Sequence, residues 1–367
     1  MARTAIPFGD PKAAIRWSAG LSLDVNHLGF FSRNGMMGKG KTYCIEEKTE
    51  LETQAGTEVS FDLKVNLVGE PVFGDTIAEG TEEALKYHTD TIKIDQVRHP
   101  VNAGGRMDQK RTVHNLRVDT KQSLRDYFAK LKDEFVFMYM SGARGINEDF
   151  IMNFNFNGFA QNAFRAPDAD HILYGGSATS KASLTAADKM SRTLIEKAET
   201  KVRMVRATNR ENANMQPLMI DGKARFMLVM SPFQEHDLRQ DVGETGWATM
   251  QRDAAGATGN KSLLFIGGMG LVKNVILYSH ENSIRFNDYG VGQNVHAGRA
   301  LFCGAQAGVC AHGSTDKRKY SWHEEKKDAG NQHVITAGTI WGVQKSRFAG
   351  KDFGCMAVDT AATDPNA

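Results

Sequence analysis

Leu116 to Met140 reads LRVDTKQSLRDYFAKLKDEFVFMYM, and its apolar residues recur with the period of a helix. Leu124, Tyr127, Phe128, Leu131, Phe135, Met138 and Tyr139, with Leu116 two turns upstream, fall on one stripe. Ser141-Gly142 then supplies a stop, because glycine tolerates the left-handed conformation that closes many helices. A long amphipathic helix is therefore expected at 116–140, and the rest of the chain is read outward from it.

Upstream the period changes from helical to two. From Thr57 to Val68, Val59, Phe61, Leu63, Val65 and Leu67 alternate with Glu58, Ser60, Asp62, Lys64 and Asn66, the pattern of a half-buried strand. A turn-rich span follows from Gly69 to Gly80, with Pro71, Gly74 and Asp75. Alternation resumes at Thr91 through Ile92 and Ile94, and its phase slips near Gln96 and Val97, where a β-bulge is expected. Together these segments predict a two-stranded projection with its tip around 69–90. Before it, 1–52 reads as an irregular arm with six Lys or Arg against two Asp up to Cys44. Trp17, Phe30 and Phe31 in this arm must pack either on its own body or on a neighbour.

Downstream of the long helix, Asp168 to Lys181 reads as a loop. A second helix is expected to start near Thr185, capped by Thr185 and Asp188, and to run through Met190, Leu194, Ile195 and Ala198. Ala224–Met230, Leu263–Ile266, Val275–Tyr278, Ile335–Val343 and Cys355–Val358 are short strand-like runs between Gly, Asn and Asp clusters. Strands after helices without regular alternation predict an α+β class.

Bulk properties narrow the function. With 45 Lys and Arg against 43 Asp and Glu, no strong net field draws the chain to nucleic acid or to an anionic membrane. No apolar run is long enough to span a bilayer, and the most apolar window, Ser262 to Tyr278, is broken by Lys273 and Asn274. Four cysteines without a C-x-x-C pair suit reduced thiols, so a soluble intracellular product is expected.

Several stretches imitate catalytic motifs. Gly35-Met36-Met37-Gly38-Lys39-Gly40-Lys41-Thr42 satisfies the phosphate-loop pattern letter for letter, which makes a P-loop NTPase the enzyme alternative. A working phosphate loop needs a strand before it and a helix after it, yet Arg33-Asn34 interrupts the approach and Tyr43-Cys44-Ile45 is β-prone. Asp352-Phe353-Gly354 lacks the partner motifs of a kinase and is read as a turn. Trp322-His323-Glu324-Glu325 is read as a polar surface segment, and Cys303 and Cys310 as packing residues. No catalytic, cofactor or metal residue is assigned.

In order along the chain come Gly56-Thr57-Glu58-Val59-Ser60-Phe61 leading into Asn66-Leu67-Val68-Gly69, then Gly74-Asp75 and Glu79-Gly80-Thr81-Glu82-Glu83. Ile94-Asp95-Gln96-Val97-Arg98, Ser141-Gly142, Ser231-Pro232-Phe233-Gln234 and Asp237-Leu238-Arg239 follow. Gly304-Ala305-Gln306-Ala307, Trp322-His323-Glu324-Glu325 and Asp352-Phe353-Gly354 complete the series. In this order they resemble the major capsid protein family of the N4-like tailed bacteriophages. The resemblance implies the Hong Kong 97 capsid fold, with the arm at 1–52, an extended loop at 53–100 and a peripheral domain at 101–205 built on the spine helix. It places an axial domain at 206–331 and returns 332–367 to the peripheral domain.

The implied function is a self-assembling shell subunit forming hexamers and pentamers around double-stranded DNA. Its implied partners are further copies of itself, a portal protein, scaffolding and decoration proteins, and packaged DNA touched without sequence specificity; no membrane and no cofactor is involved. The implied location is the virion, with assembly in the host bacterial cytoplasm. An encapsulin compartment shares the fold and is the alternative shell. Phe61, Leu63, Ile92 and Ile94 of the projection are the candidate interface residues, making contacts within the ribbon or across the interface.

Overall fold

A computed structural model describes residues 25, 28–52, 55–75, 77–208, 215–220, 222–241, 270–314 and 319–365. The chain enters through helix α1 (Phe30–Arg33) and strands β1 (Met37–Gly38) and β2 (Ile45–Lys48). A hairpin follows, β3 (Glu58–Lys64) and β4 (Tyr87–Lys93), then β5 (Asp95–Gly105), the short helix α2 (Arg106–Arg111) and the long helix α3 (Leu116–Ser141). A small hairpin, β6 (Gly158–Phe159) with β7 (Asn162–Ala163), precedes β8 (Ile172–Tyr174) and helix α4 (Arg192–Thr208). Strands β9 (Leu218–Ile220) and β10 (Lys223–Met230) lead to helix α5 (Pro232–Gln240). The remainder is β11 (Gly270–Val272), β12 (Val275–Ser279), β13 (Arg285–Tyr289), β14 (Val295–Cys303), β15 (Gly308–Gly313) and β16 (Tyr320–Lys327). It ends with β17 (Gln332–Lys345), the hairpin β18 (Arg347–Phe348) and β19 (Lys351–Asp352), and β20 (Cys355–Ala361).

Helix α3 forms where its periodicity predicts. The Asn115 side chain caps it by accepting from the Val118 amide. Gly142 ends it at φ 71°, where a side chain would strike the Arg165 carbonyl oxygen. The first half buries one stripe through Leu124 and Phe128; from Leu131 to Ser141 every residue is buried. The cause is its position between two sheets. On one side lie Ile335, Ala337, Trp341 and Val343 of β17, and on the other Met227 and Val229 of β10 with Leu301 of β14. Lys132, Asp133 and Glu134 are thereby taken out of water, and each finds a partner. Lys132 lies 3.7 Å from Glu47, Asp133 accepts from the Phe30 amide at 2.7 Å, and Glu134 accepts from the Ile151 amide at 2.9 Å.

The six-stranded sheet runs β1-β2-β15-β17-β16, with β5 on the other edge of β17. The eight-stranded sheet runs β11-β12-β10-β14-β20-β8, with β13 on β14 and β9 on β10. The far face of the eight-stranded sheet is covered by α4, whose Leu194, Ile195, Ala198 and Val202 pack on Phe226, Leu228, Leu277 and Phe302. Alternate residues of β10 therefore serve two cores, which is why this strand reads as a continuous apolar run. Phe30 and Phe31 of the arm pack on Phe137 of their own chain. Trp17 lies outside the described residues.

Several expectations are corrected. The phase slip near Gln96 is no bulge: the chain leaves the hairpin at Ile94 and joins a different sheet, where β5 pairs with β17. Thr185 and Asp188 do bond, but they close a turn, and the helix starts at Arg192 behind Ser191, which accepts from the Leu194 amide. The loop at 168–181 contains β8, a parallel neighbour of β20. Trp322 of the supposed polar segment is buried, because β16 alternates in and out. Leu263–Ile266 lies outside the described residues. The 206–331 and 332–367 divisions do not follow the sheets: β15 and β16 belong with β17, whereas β20 belongs to the eight-stranded sheet.

Candidate subunit-interface surfaces

The β3–β4 ribbon holds one register from Glu58 opposite Lys93 to Lys64 opposite Tyr87. At its base, Ile92 and Ile94 are buried with Leu51, Val309 and Ala311, and half-buried Val59, Phe61 and Ile340 pack against them. Ile92 and Ile94 are therefore buried in their own chain, at 0% and 9% exposure, and their apolar contacts are with its own residues. The reason is that β4 runs down onto β15 before the chain turns into β5. Phe61 and Leu63, on β3, stay half-buried. The Phe61 ring meets Phe348 edge-on at 5.8 Å.

Polar groups clamp the same base. Arg165 holds the Asp90 carboxylate with two hydrogen bonds, at 2.6 and 2.8 Å, and the Arg347 amide donates to it at 3.0 Å. The Asn162 side chain pairs with both backbone groups of Lys93, donating at 2.8 Å and accepting at 3.1 Å. Gly342 makes this approach possible, since a Cβ there would lie 2.1 Å from the Lys93 carbonyl oxygen.

The tip is built differently. Beyond the Val65 amide, which donates to Lys86 O at 3.0 Å, no strand pairing continues among the described residues. The Glu83 carboxylate closes the loop by accepting from the Val68 and Gly69 amides at 2.9 and 2.8 Å, and these bonds hold its pKa below the usual carboxylate value. Phe73 is 76% exposed and Ile77 75%, and Leu67, Leu85 and Tyr87 are also exposed. Large apolar side chains gathered on one exposed loop mark a contact surface. Reading 69–80 as a turn-rich span, with the tip around 69–90, passed over Phe73, Ile77, Leu85 and Tyr87, although four large apolar side chains within the tip were a visible signal.

A second exposed region joins β5 to α3. Helix α2 buries none of its residues, Met107 is 61% exposed, and Val113 and Val118 are exposed beside it. Polar ties alone hold it: Asp108 accepts from the Gly105 amide at 2.9 Å, and Asn331 from the Arg106 amide at 3.3 Å.

The motif-like stretches have structural explanations. Gly35–Thr42 carries the two-residue strand β1, buries Met36 and Met37, and runs through turns into β2 with no helix after it. Asp352 is fully buried and accepts from Lys345 at 2.6 Å and Arg347 at 2.8 Å. Cys44, Cys303, Cys310 and Cys355 are free and buried. Arg299 and Asp359 pair at 2.7 Å beneath the Tyr289 hydroxyl, and Arg299 also donates to Ser141 O, tying the eight-stranded sheet to the end of α3. These buried charges join elements of the fold.

Comparison with known proteins decides what such surfaces serve. The family described as phage capsid protein matches residues 5–364. The chain belongs to that family. A chain of the capsid of Ralstonia phage GP4 is 49% identical, superposes with a TM-score of 0.86, and is covered over 100% of both chains. The major capsid protein of Pseudomonas phage KPP25 is 27% identical over 361 residues, 90% of each chain. A capsid chain of Cyanophage Pam1 shares the fold at 19% identity, with a TM-score of 0.70 over 89% of this chain and 91% of that one. For a phage capsid subunit, the exposed tip and the exposed α2 segment are two of the apolar surfaces open among the described residues, with Phe154 and Val291 exposed elsewhere.

Proposed function

We infer that the chain is the major capsid protein of a tailed phage and that copies of it build the icosahedral head through repeated surface contacts. The observation that carries this reading is the apolar tip, held out in solvent on a ribbon whose base is locked to the body. A shell places identical subunits in slightly different surroundings, so many modest, repeated contacts serve it better than a deep pocket. Membership of the capsid family and the absence of a helix after the phosphate-loop pattern support a subunit without an active site.

The finer reading is that the subunits form hexamers and pentamers around double-stranded DNA, joined by a portal protein and by scaffolding and decoration proteins, with assembly in the host cytoplasm. The ordered landmarks along the chain support the N4-like branch. In Hong Kong 97 terms, α3 with the six-stranded sheet is the peripheral domain, and the eight-stranded sheet with α4 is the axial domain. Phe61 and Leu63 contribute the ribbon's half-buried face to the lattice, and Leu67, Phe73 and Ile77 its apolar end.

Phe73→Ser/Ile77→Ser is the test. The unfolding midpoint of the subunit should stay close to the wild-type value, since Phe73 and Ile77 are 76% and 75% exposed. Particle yield in negative-stain electron microscopy should fall by about a hundredfold, as expected when two central apolar anchors are lost. Wild-type particles in normal yield would remove the tip from the assembly surface.

A further inference from the structure

We propose that Cys303 and Cys355 form a latent disulfide site, open while the chain is in a reducing cytoplasm and closed by a peroxide once it is outside. The site lies in the interior of the subunit and stands apart from the reading of the tip.

The strand ladder sets the two thiols side by side. Cys303 of β14 and Cys355 of β20 are opposite each other in antiparallel register. The Gly304 amide donates to Gly354 O at 2.8 Å, so that adjacent pair is hydrogen-bonded and the cysteine pair is of the alternate kind. Residues opposed in that way have Cα atoms about 4.5 Å apart and side chains close together on one face. A disulfide takes Cα separations of about 4.4–6.8 Å, so the strands need not move for the bond to form.

The shared face is the one turned to α3. Both cysteines pack in the core with Met140, and Cys355 Sγ donates to Met140 O at 3.7 Å. Cys44, just before β2, brings a third thiol into hydrogen-bonding contact with Cys303. Packing alone asks only for a compact apolar pair, as Leu301 opposite Ala357 shows two positions along the same face. Cys310 provides the internal contrast. Its opposite residue on β17 is Val343, and its Sγ lies 3.6 Å from His312 Nε2.

Closure releases two electrons and needs an oxidant small enough to enter a packed interior, which hydrogen peroxide is. One thiol gives up its proton and its sulfur attacks a peroxide oxygen; the O–O bond breaks, and the departing hydroxide takes that proton to become water. The second sulfur then attacks the sulfenic acid so formed. The S–S bond forms, the S–O bond breaks, and the second thiol's proton leaves with the hydroxide as another water. Hydrogen bonding with Cys355 and Cys44, with burial added, raises the Cys303 thiol well above its ordinary value, so closure is slow at neutral pH and faster in alkali. Cytoplasmic reductants keep such a pair open. The timing, closure after release from a cell, rests on the reading of the chain as a virion subunit. The bond joins β14 to β20 across the roughly fifty residues between them, a loop long enough to restrict the unfolded chain strongly.

The test treats the native full-length subunit with hydrogen peroxide at mildly alkaline pH, caps the remaining thiols with N-ethylmaleimide on unfolding, and maps peptides by mass spectrometry. A peptide linking Cys303 to Cys355 should appear, lighter than the reduced pair by two hydrogens, with Cys44 and Cys310 capped. The unfolding midpoint should rise by about 5 °C and fall back on treatment with dithiothreitol. Cys303→Ala and Cys355→Ala should show no rise. Either alanine variant can lose stability on its own account, so the wild-type peptide map decides. Four capped thiols after oxidation, a bond to Cys44 or Cys310, or sulfonic acids in place of a bond would overturn the proposal. None of these readings involves particles, so failure here leaves the tip as a lattice contact, and normal assembly of Phe73→Ser/Ile77→Ser leaves this site standing.

Discussion

The base and the tip of the β3–β4 ribbon are made by the same two strands, yet they treat their apolar residues in opposite ways. At the base, Ile92 and Ile94 sink into the chain's own core, and Asp90 and Lys93 are gripped by Arg165 and Asn162. At the tip, Phe73 and Ile77 face solvent, and one carboxylate, Glu83, closes the loop. Folding free energy is thus concentrated where the ribbon leaves the body, and apolar surface stays exposed at its free end.

The comparison breaks first at Ile92. Ile92→Ala should cost about 3–4 kcal/mol of subunit stability, the range for emptying a buried aliphatic site. Denaturant unfolding of the unassembled subunit measures this, and the particles that do form should look normal. A loss below about 1 kcal/mol would mean that the base is as loosely held as the tip, and the division between them would disappear.

How far the sequence reveals these two regions depends on the range of the interactions. Helix α3 and the ribbon strands were legible because their periods, 3.6 and two, are local. The departure at Ile94 was not, because β5 takes its register from β17, more than two hundred positions away; locally the switch looks like a bulge. Nor does a helical stripe show that Lys132, Asp133 and Glu134 are buried, since that follows from a second sheet closing over the polar face of α3. Helix α5 was missed although its signal was present: Ser231 and Gln234 form a capping box with Pro232 at the first turn. Of the four candidate interface residues, Ile92 on β4 and Ile94 just after it are interior and the two on β3 are half-buried, because alternation reports a face without saying what covers it.

The buried junction offers a second, smaller contrast with the tip, read through pH. Burial pushes the Glu134 carboxyl up to about 7 against the opposing hydrogen bond from the Ile151 amide. A raised acid holds its proton more tightly in the folded chain than in the unfolded one. Its contribution is therefore fully present below the ordinary value of 4.5 and is lost as pH rises towards about 7. Glu134→Gln keeps an oxygen for the Ile151 amide and removes the ionisation. It should gain about 1–2 kcal/mol at pH 8 and almost nothing at pH 4, measured by denaturant unfolding at both. An equal effect at the two pH values would show that Lys130 and Arg144 already offset the buried charge.

At the tip the shift has the opposite sign and a smaller consequence. Hydrogen bonds from the Gly69 and Val68 amides hold the exposed Glu83 carboxyl below 4.5. A depressed acid stabilises its closed loop above the ordinary value, and that closure is lost as pH falls through the depressed one. Glu83→Gln replaces a charged acceptor with a neutral one at an exposed position, so the unfolding midpoint of the subunit should not move. Particle yield near pH 7 should fall by about two- to threefold, the scale of a weakened hydrogen bond. The deficit should shrink as pH falls below the depressed value, where wild-type Glu83 is neutral too. If Glu83→Gln lowered the unfolding midpoint as Ile92→Ala does, the tip would share in the stability of the body, and the ribbon would have to be treated as one element from end to end.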